Sequence, residues 1–138
     1  MRQAATMLTI ATDRQGLIEV TDRVARWVAE QHMRTGLLTV FCRHTSASLV
    51  IQENAAPAAR RDLERYFAHI APESTEYEHG DEGADDMPAH LRTALTNTDL
   101  AIPLIDGALA LGTWQGIYLF EHRRQPHRRT LALHLIGE

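Results

Sequence analysis

The sequence predicts a single compact α+β domain, with a largely antiparallel β-sheet and helices packed against it. Three observations support that prediction. Strand-like and helix-like runs are interspersed without regular βαβ alternation, which argues against a doubly wound parallel sheet. No repeat, low-complexity tract or linker divides the 138 residues, a length that suits one domain with one core. A hydrophobic fraction of 44% beside 23% charged residues is that of an ordinary globular chain.

The elements follow in order. Apolar and polar residues roughly alternate from Thr6 to Thr12, the pattern of a strand. Thr21 is placed to cap a helix whose Val24, Trp27 and Val28 share one face, and Gly36 is placed to end it. Leu37 to Cys42 is a short apolar run, read as a buried strand. Asn54 is a second candidate cap, and behind it Ala56, Ala59, Leu63, Tyr66, Phe67 and Ile70 recur at helical spacing. Pro57 falls in the first turn, where its missing N–H costs little, and Pro72 closes the segment. After a long loop, Asp85 or Asp86 can cap a short helix carrying Pro88, His90, Leu91 and Leu95. Strand-like runs then cover Leu100 to Ile105, Trp114 to Glu121 and Thr130 to Ile136. The polar stretch from His122 to Arg128 forms a turn between the last two.

Composition excludes several classes of function. No apolar run approaches the roughly 20 residues that cross a bilayer. Residues Met1 to Ile10 lack the organisation of a signal peptide, so a cytoplasmic location and no membrane partner are expected. Cys42 is the only cysteine, which rules out an intrachain disulfide and leaves nitrogen and oxygen as the donors of any metal site. A net charge of −4 gives no global attraction to nucleic acid.

The densest polar constellation is "EHGDEGADDMPAHL", Glu78 to Leu91, with two histidines and five carboxylates in fourteen residues. A loop ending in a helix can fold His79 and His90 together, and Asp86 lies four residues before His90 on the same helical face. Imidazole and carboxylate form a normal zinc, manganese or iron shell. An acid–base site and an acidic loop favouring a helix N-terminus remain alternatives. In "CRHTSASLVIQEN", Val40, Cys42 and His44 share one face if the strand continues, and Thr45, Ser46 and Ser48 follow. Small hydroxylated residues suit the approach of a ligand oxygen to the backbone, or simply a strand-to-helix turn. No Gly-x-Ser-x-Gly elbow is present, and Cys42 reads as buried packing. Glu121 ends an apolar face in "GTWQGIYLFEH", so it is either a rim residue or a paired one. "HRRQPHRR" clusters four arginines in a turn, read as solvated before it is read as a phosphate site.

Taken in order, these segments resemble the YjbQ family, also called secondary thiamine-phosphate synthases. The resemblance rests on "HTSASL" (His44–Leu49), "QEN" (Gln52–Asn54), "YEHGDEGADDMPAHL" (Tyr77–Leu91), "IPLIDG" (Ile102–Gly107), "LGTWQGIYLFEHR" (Leu111–Arg123) and the final "GE". It implies a YjbQ-like fold assembled as a homotrimer, with the motif residues near subunit boundaries. It also implies a modest thiamine-phosphate synthase activity that joins hydroxymethylpyrimidine diphosphate to a thiazole phosphate. In this sequence the family's motif histidines fall on His44, His79 and His90, the expected metal ligands, and its carboxylates on Asp85 and Glu121, the expected catalytic pair. Thr45, Ser46, Glu53 and Gln115, within the same motifs, are the expected substrate-binding residues. A histidine-rich site favours zinc or manganese, with magnesium the alternative suggested by diphosphate chemistry. The expected partner is a small phosphorylated metabolite. A metal-dependent hydrolase of such a metabolite and a trimeric binder without turnover are the competing readings.

Overall fold

Residues 1–138 are described by a computed structural model, in which eight strands and three helices form one α+β domain. The elements are β1 (Arg2–Thr12), β2 (Gly16–Glu19), α1 (Thr21–Glu30), β3 (Gly36–Cys42), β4 (Ala47–Glu53), α2 (Pro57–Ile70), α3 (Asp86–Leu95), β5 (Asp99–Ile105), β6 (Ala108–Leu109), β7 (Gln115–Glu121) and β8 (His127–Gly137). They build two antiparallel sheets, ordered β1-β8-β3-β5-β6 and β2-β7-β4. No helix is long and apolar enough to cross a membrane.

The main core lies between the inner faces of the two sheets and under α1. Leu38 and Val40 of β3 meet Leu131, Leu133 and Leu135 of β8, then Leu49 of β4 and Ile117 and Leu119 of β7. Val24 and Val28 of α1 join them, with Trp27 packed at the margin, as the helical spacing predicts. Apart from Trp27, each of these side chains is almost fully buried, which stabilises the fold by roughly 1.5–3 kcal/mol apiece before entropy is counted. On its other face, β7 sends Tyr118 and Phe120 toward α2, where Phe67 meets Phe120 edge-on at 5.2 Å. Buried on both faces, β7 reads as a continuous apolar run.

Two caps and one stop differ from expectation. Val20 is the cap residue of α1, and the Thr21 hydroxyl instead accepts the Ile117 N–H at 2.8 Å, tying the helix to β7. At α2 the cap residue is Ala56 rather than Asn54, and the Glu53 carboxylate accepts the N–H groups of Ala55 and Ala56 at 3.1 and 2.9 Å. Pro57 opens α2, as expected. Gly36 does not end α1. His32, at φ 55°, turns the chain, and Gly36 starts β3, where a Cβ would collide with the Ile136 carbonyl.

The strand β4 occupies "ASLVIQE", where a strand-to-helix turn was the alternative to a ligand loop. Its small Ala47 and Ser48 hide the strand signal because they are buried against β7 rather than exposed in a turn. The short strands β2 and β6 are likewise additional to the sequence reading.

Candidate functional site

Helix α3 presents Asp86 and His90 one turn apart on one face, and the preceding loop returns His79 to them. The His79 Nε2 lies 2.7 Å from Asp86 Oδ2, and the His90 Nε2 lies 3.1 Å from the same oxygen. The ligand atoms of His79, Asp86 and His90 all fall within 4.8 Å of one another. His90 donates its Nδ1–H to the Thr45 carbonyl at 2.8 Å, which fixes its tautomer. In the neutral ring the Nε2 lone pair therefore faces a carboxylate oxygen. Two acceptors in that position call for a positive charge between or upon them. A second imidazole nitrogen bonded to a carbonyl is also the usual outer-shell arrangement of a metal-binding histidine. The donor set fits a divalent cation.

Arg123 organises the carboxylate side of this cluster. Its Nε and Nη1 donate to Asp85 Oδ2 and Asp86 Oδ1 at 3.1 and 2.7 Å, and its Nη2 donates to the Glu82 carbonyl at 2.9 Å. Asp86 therefore spends one oxygen on Arg123 and turns the other toward the histidines. Asp85 also accepts the Arg124 N–H at 2.9 Å. Burial alone would raise both carboxyl pKa values. The Arg124 and Arg123 donors reverse that for Asp85, and His79, His90 and Arg123 reverse it for Asp86, so both stay ionised. The Asp86 hydrogen bond in turn raises the His79 pKa. Asp85 occupies the cap position of α3, as expected, but its side chain is turned to arginine instead of the helix N–H groups.

Glu121 is a paired residue rather than a rim residue. It is fully buried, and Oε1 accepts from Thr12 Oγ1 at 2.6 Å and Arg129 Nε at 2.7 Å. Its Oε2 accepts from Arg129 Nη2 and from the Arg123 N–H. Burial would raise its pKa, but the bonds from Arg129, Thr12 and Arg123 hold it below the ordinary value. Both oxygens are thus committed to donors of the fold, and the group is held ionised. Its partner Arg129 also donates to the Ser46 carbonyl at 3.2 Å and so braces the turn before β4.

The structure separates the remaining expected residues. His44 is not among the three clustered ligands. Its Nε2 accepts the Thr130 N–H at 2.7 Å, so within this chain the His44 expected as a third ligand stands apart from His79 and His90. Thr45 and Ser46 lie beside the cluster, through the carbonyls that meet His90 and Arg129. Glu53 and Gln115 do not. They pair at the far end of β4 and β7 from Ala47 and Glu121, about 20 Å away at the usual rise of a strand. There Gln115 accepts the Gly112 N–H, so within one chain neither residue reaches the histidines. Cys42 is buried, its thiol pKa raised by burial, and it donates to the Ala47 carbonyl at 3.4 Å, in agreement with the packing reading.

A family model described as UPF0047 protein YjbQ-like matches residues 6–138. The chain belongs to the YjbQ family. It is 49% identical over 138 residues to UPF0047 protein sll1880 of Synechocystis, covering 99% of this chain and 94% of that one. YjbQ of Escherichia coli O157:H7 is 41% identical over 95% of this chain and 96% of its own. Among solved structures, the hypothetical protein APE1520 of Aeropyrum pernix superposes with a TM-score of 0.90 at 29% identity, covering 98% and 99% of the two chains. A YjbQ/UPF0047-family protein of Clostridium acetobutylicum gives 0.83 at 32% identity over 96% and 99%.

Two residues of this YjbQ chain were not singled out in the sequence. Sequence pattern groups Arg123 with a solvated turn, yet it follows the apolar strand by only two residues and lies where the strand end meets the acidic loop. His122 belongs to the same polar stretch in sequence. It is fully buried, with Nε2 2.9 Å from the Ser48 hydroxyl and Nδ1 without a partner, and burial lowers its pKa to about 3. The apolar strand preceding it was the available signal, since His122 continues that strand's burial.

Proposed function

We propose that this YjbQ-family chain is a divalent-metal enzyme acting on a small phosphorylated metabolite, with thiamine-phosphate synthesis as the reaction the resemblance implies. One observation carries the metal assignment: His79 Nε2 and His90 Nε2 converge on Asp86 Oδ2 while His90 Nδ1 is tied to Thr45. His79, Asp86 and His90 would hold the cation, zinc or manganese before magnesium on donor chemistry. When bound, such a cation supplies Lewis-acid stabilisation of developing charge on phosphate oxygens, or acidifies a water.

The chain's own residues do the positioning. Arg123 orients Asp86 and offsets the charge of the paired aspartates. Asp85 holds Arg123 in place, and the buried Glu121–Arg129 pair fixes the turn that carries Thr45 and Ser46. Asp85 and Glu121 are thus proposed as positioning residues, because both are ionised and committed to arginine donors. The metal-dependent hydrolase is the second reading, favoured by a ligand set of two histidines and one carboxylate that leaves coordination positions open.

Assembly as a homotrimer is part of the proposal. Its support is the outer face of the larger sheet, where Met7, Leu37, Phe41 and Ile136 are exposed in adjacent rows that no helix covers. Light scattering at micromolar concentration is expected to give three chains, and a stable monomer removes this part of the proposal.

Stripping the protein with chelator and reloading it with zinc or manganese tests the enzyme reading. Pyrophosphate release from the paired thiamine precursors that follows metal loading supports the synthase. Phosphate release from simple esters instead supports the hydrolase, and no turnover in either metal state supports the binder.

A further inference from the structure

Next to the His79–Asp86–His90 cluster, a cavity of about 600 Å³ opens between the end of β3, the His44–Ser46 turn and α3. It starts close to the cluster: Thr93 on its wall is three residues after His90, a same-face spacing of roughly 5–6 Å on a helix. None of its nine lining residues is a carboxylate, whereas two are arginines and one is a histidine.

Each of those three offers a donor. Arg43 is exposed and pairs with no acid, its side chain donating one hydrogen bond, to the Met7 sulfur at 3.9 Å. Arg129, at 4% exposure, commits Nε to Glu121 and Nη2 to Glu121 and Ser46, which leaves Nη1 without a partner in the fold. His44 accepts the Thr130 N–H at Nε2, so its remaining ring proton sits on Nδ1. Burial, with Arg129 beside it, lowers the His44 pKa, and the ring is therefore a neutral donor. The buried Thr93 hydroxyl has no partner in the fold either. The Cys42 thiol on the wall stays protonated because burial raises its pKa, so it adds no negative charge. A concave site with one free cation, one braced guanidinium and one fixed N–H donor, and with no acid on its wall, selects an oxyanion.

We propose that this cavity is a phosphate subsite, which seats the phosphate of a small metabolite on Arg43, His44 and Arg129 beside the metal cluster. The proposal deepens the metal-enzyme reading by placing the phosphate of the same substrate, yet the subsite is built from groups that do not ligate the metal. It can therefore be tested with the metal removed.

The test is calorimetric titration of inorganic phosphate into the full-length, chelator-treated protein, with acetate as the carboxylate control. Saturable phosphate binding and much weaker acetate binding are expected. Arg43→Gln, an exposed change that leaves the core untouched, should weaken phosphate binding about tenfold or more, the scale of one charge-assisted hydrogen bond. Arg43→Lys should restore part of it. His90→Ala should keep phosphate binding while losing zinc binding, and Arg43→Gln should keep zinc binding. A wild-type protein that binds no phosphate overturns the subsite, as does unchanged phosphate affinity in Arg43→Gln or equal affinity for acetate. Phosphate binding that persists in a protein with no metal affinity would instead overturn the metal reading and leave the subsite standing.

Discussion

Glu121 and Arg129 form a two-point ion pair in the interior, with neither side chain more than 4% exposed. Such a pair is costly to break on one side only, because the surviving charge is stranded. Glu121→Gln is expected to lower stability by roughly 3 kcal/mol or more in urea denaturation. Metal content should be unchanged. Replacing both partners with apolar residues, as in Glu121→Leu with Arg129→Met, should recover most of that loss. A Glu121→Gln protein of normal stability with abolished turnover would return Glu121 to an acid–base role.

Arg123 bridges Asp85, Asp86 and the Glu82 carbonyl, so its removal should act through the cluster it orients. Arg123→Gln is expected to weaken zinc affinity by about ten- to a hundredfold, as loss of outer-shell partners does. Helix content by circular dichroism should stay at the wild-type level. Unchanged zinc affinity would show that Asp86 holds its position without the clamp.

Fold class and most elements were legible in the sequence because they depend on periodic patterns, whereas the family was legible through its motifs, such as His44–Leu49 and Tyr77–Leu91. Val24 and Val28 at helical spacing, and Leu131, Leu133 and Leu135 at strand spacing, each have one environment to satisfy. The strand β4 was less legible, since Ala47 and Ser48 are small enough to suit either a turn or a buried strand. Within the site, the grouping of Asp86 with His90 followed from four-residue helical spacing, whereas the loop that returns His79 has no period to read. The separation of His44 was hidden for another reason. Its Nε2 is taken by the N–H of Thr130, a backbone group 86 positions away that no local pattern announces.

His122 gives the fold a pH dependence above the range of the carboxylates. Its pKa falls from an ordinary 6.5 to about 3 in the folded protein, because burial penalises the charged ring. The unfolded chain therefore binds the extra proton first. The stabilisation is complete above pH 6.5 and is lost progressively as pH falls toward the folded value. Between pH 6.5 and 4.5 this group should cost roughly 2–3 kcal/mol at 1.36 kcal/mol per pH unit. His122→Gln should flatten the stability profile over that window in urea denaturation. An identical slope in wild type and variant would contradict the assignment.

The proposed cation site consists of His79, Asp86 and His90 and excludes His44. Elemental analysis of the purified protein tests it most directly, applied to wild type and to His79→Ala, Asp86→Asn, His90→Ala and His44→Ala after equilibration with zinc. The expected result is one cation per chain in wild type and His44→Ala, sharp loss in the other three, and folding changed by only about 1 kcal/mol, the ordinary scale of a point substitution. Equal metal in wild type and in the His79, Asp86 and His90 variants would contradict the claim, and so would loss in His44→Ala as complete as in His90→Ala.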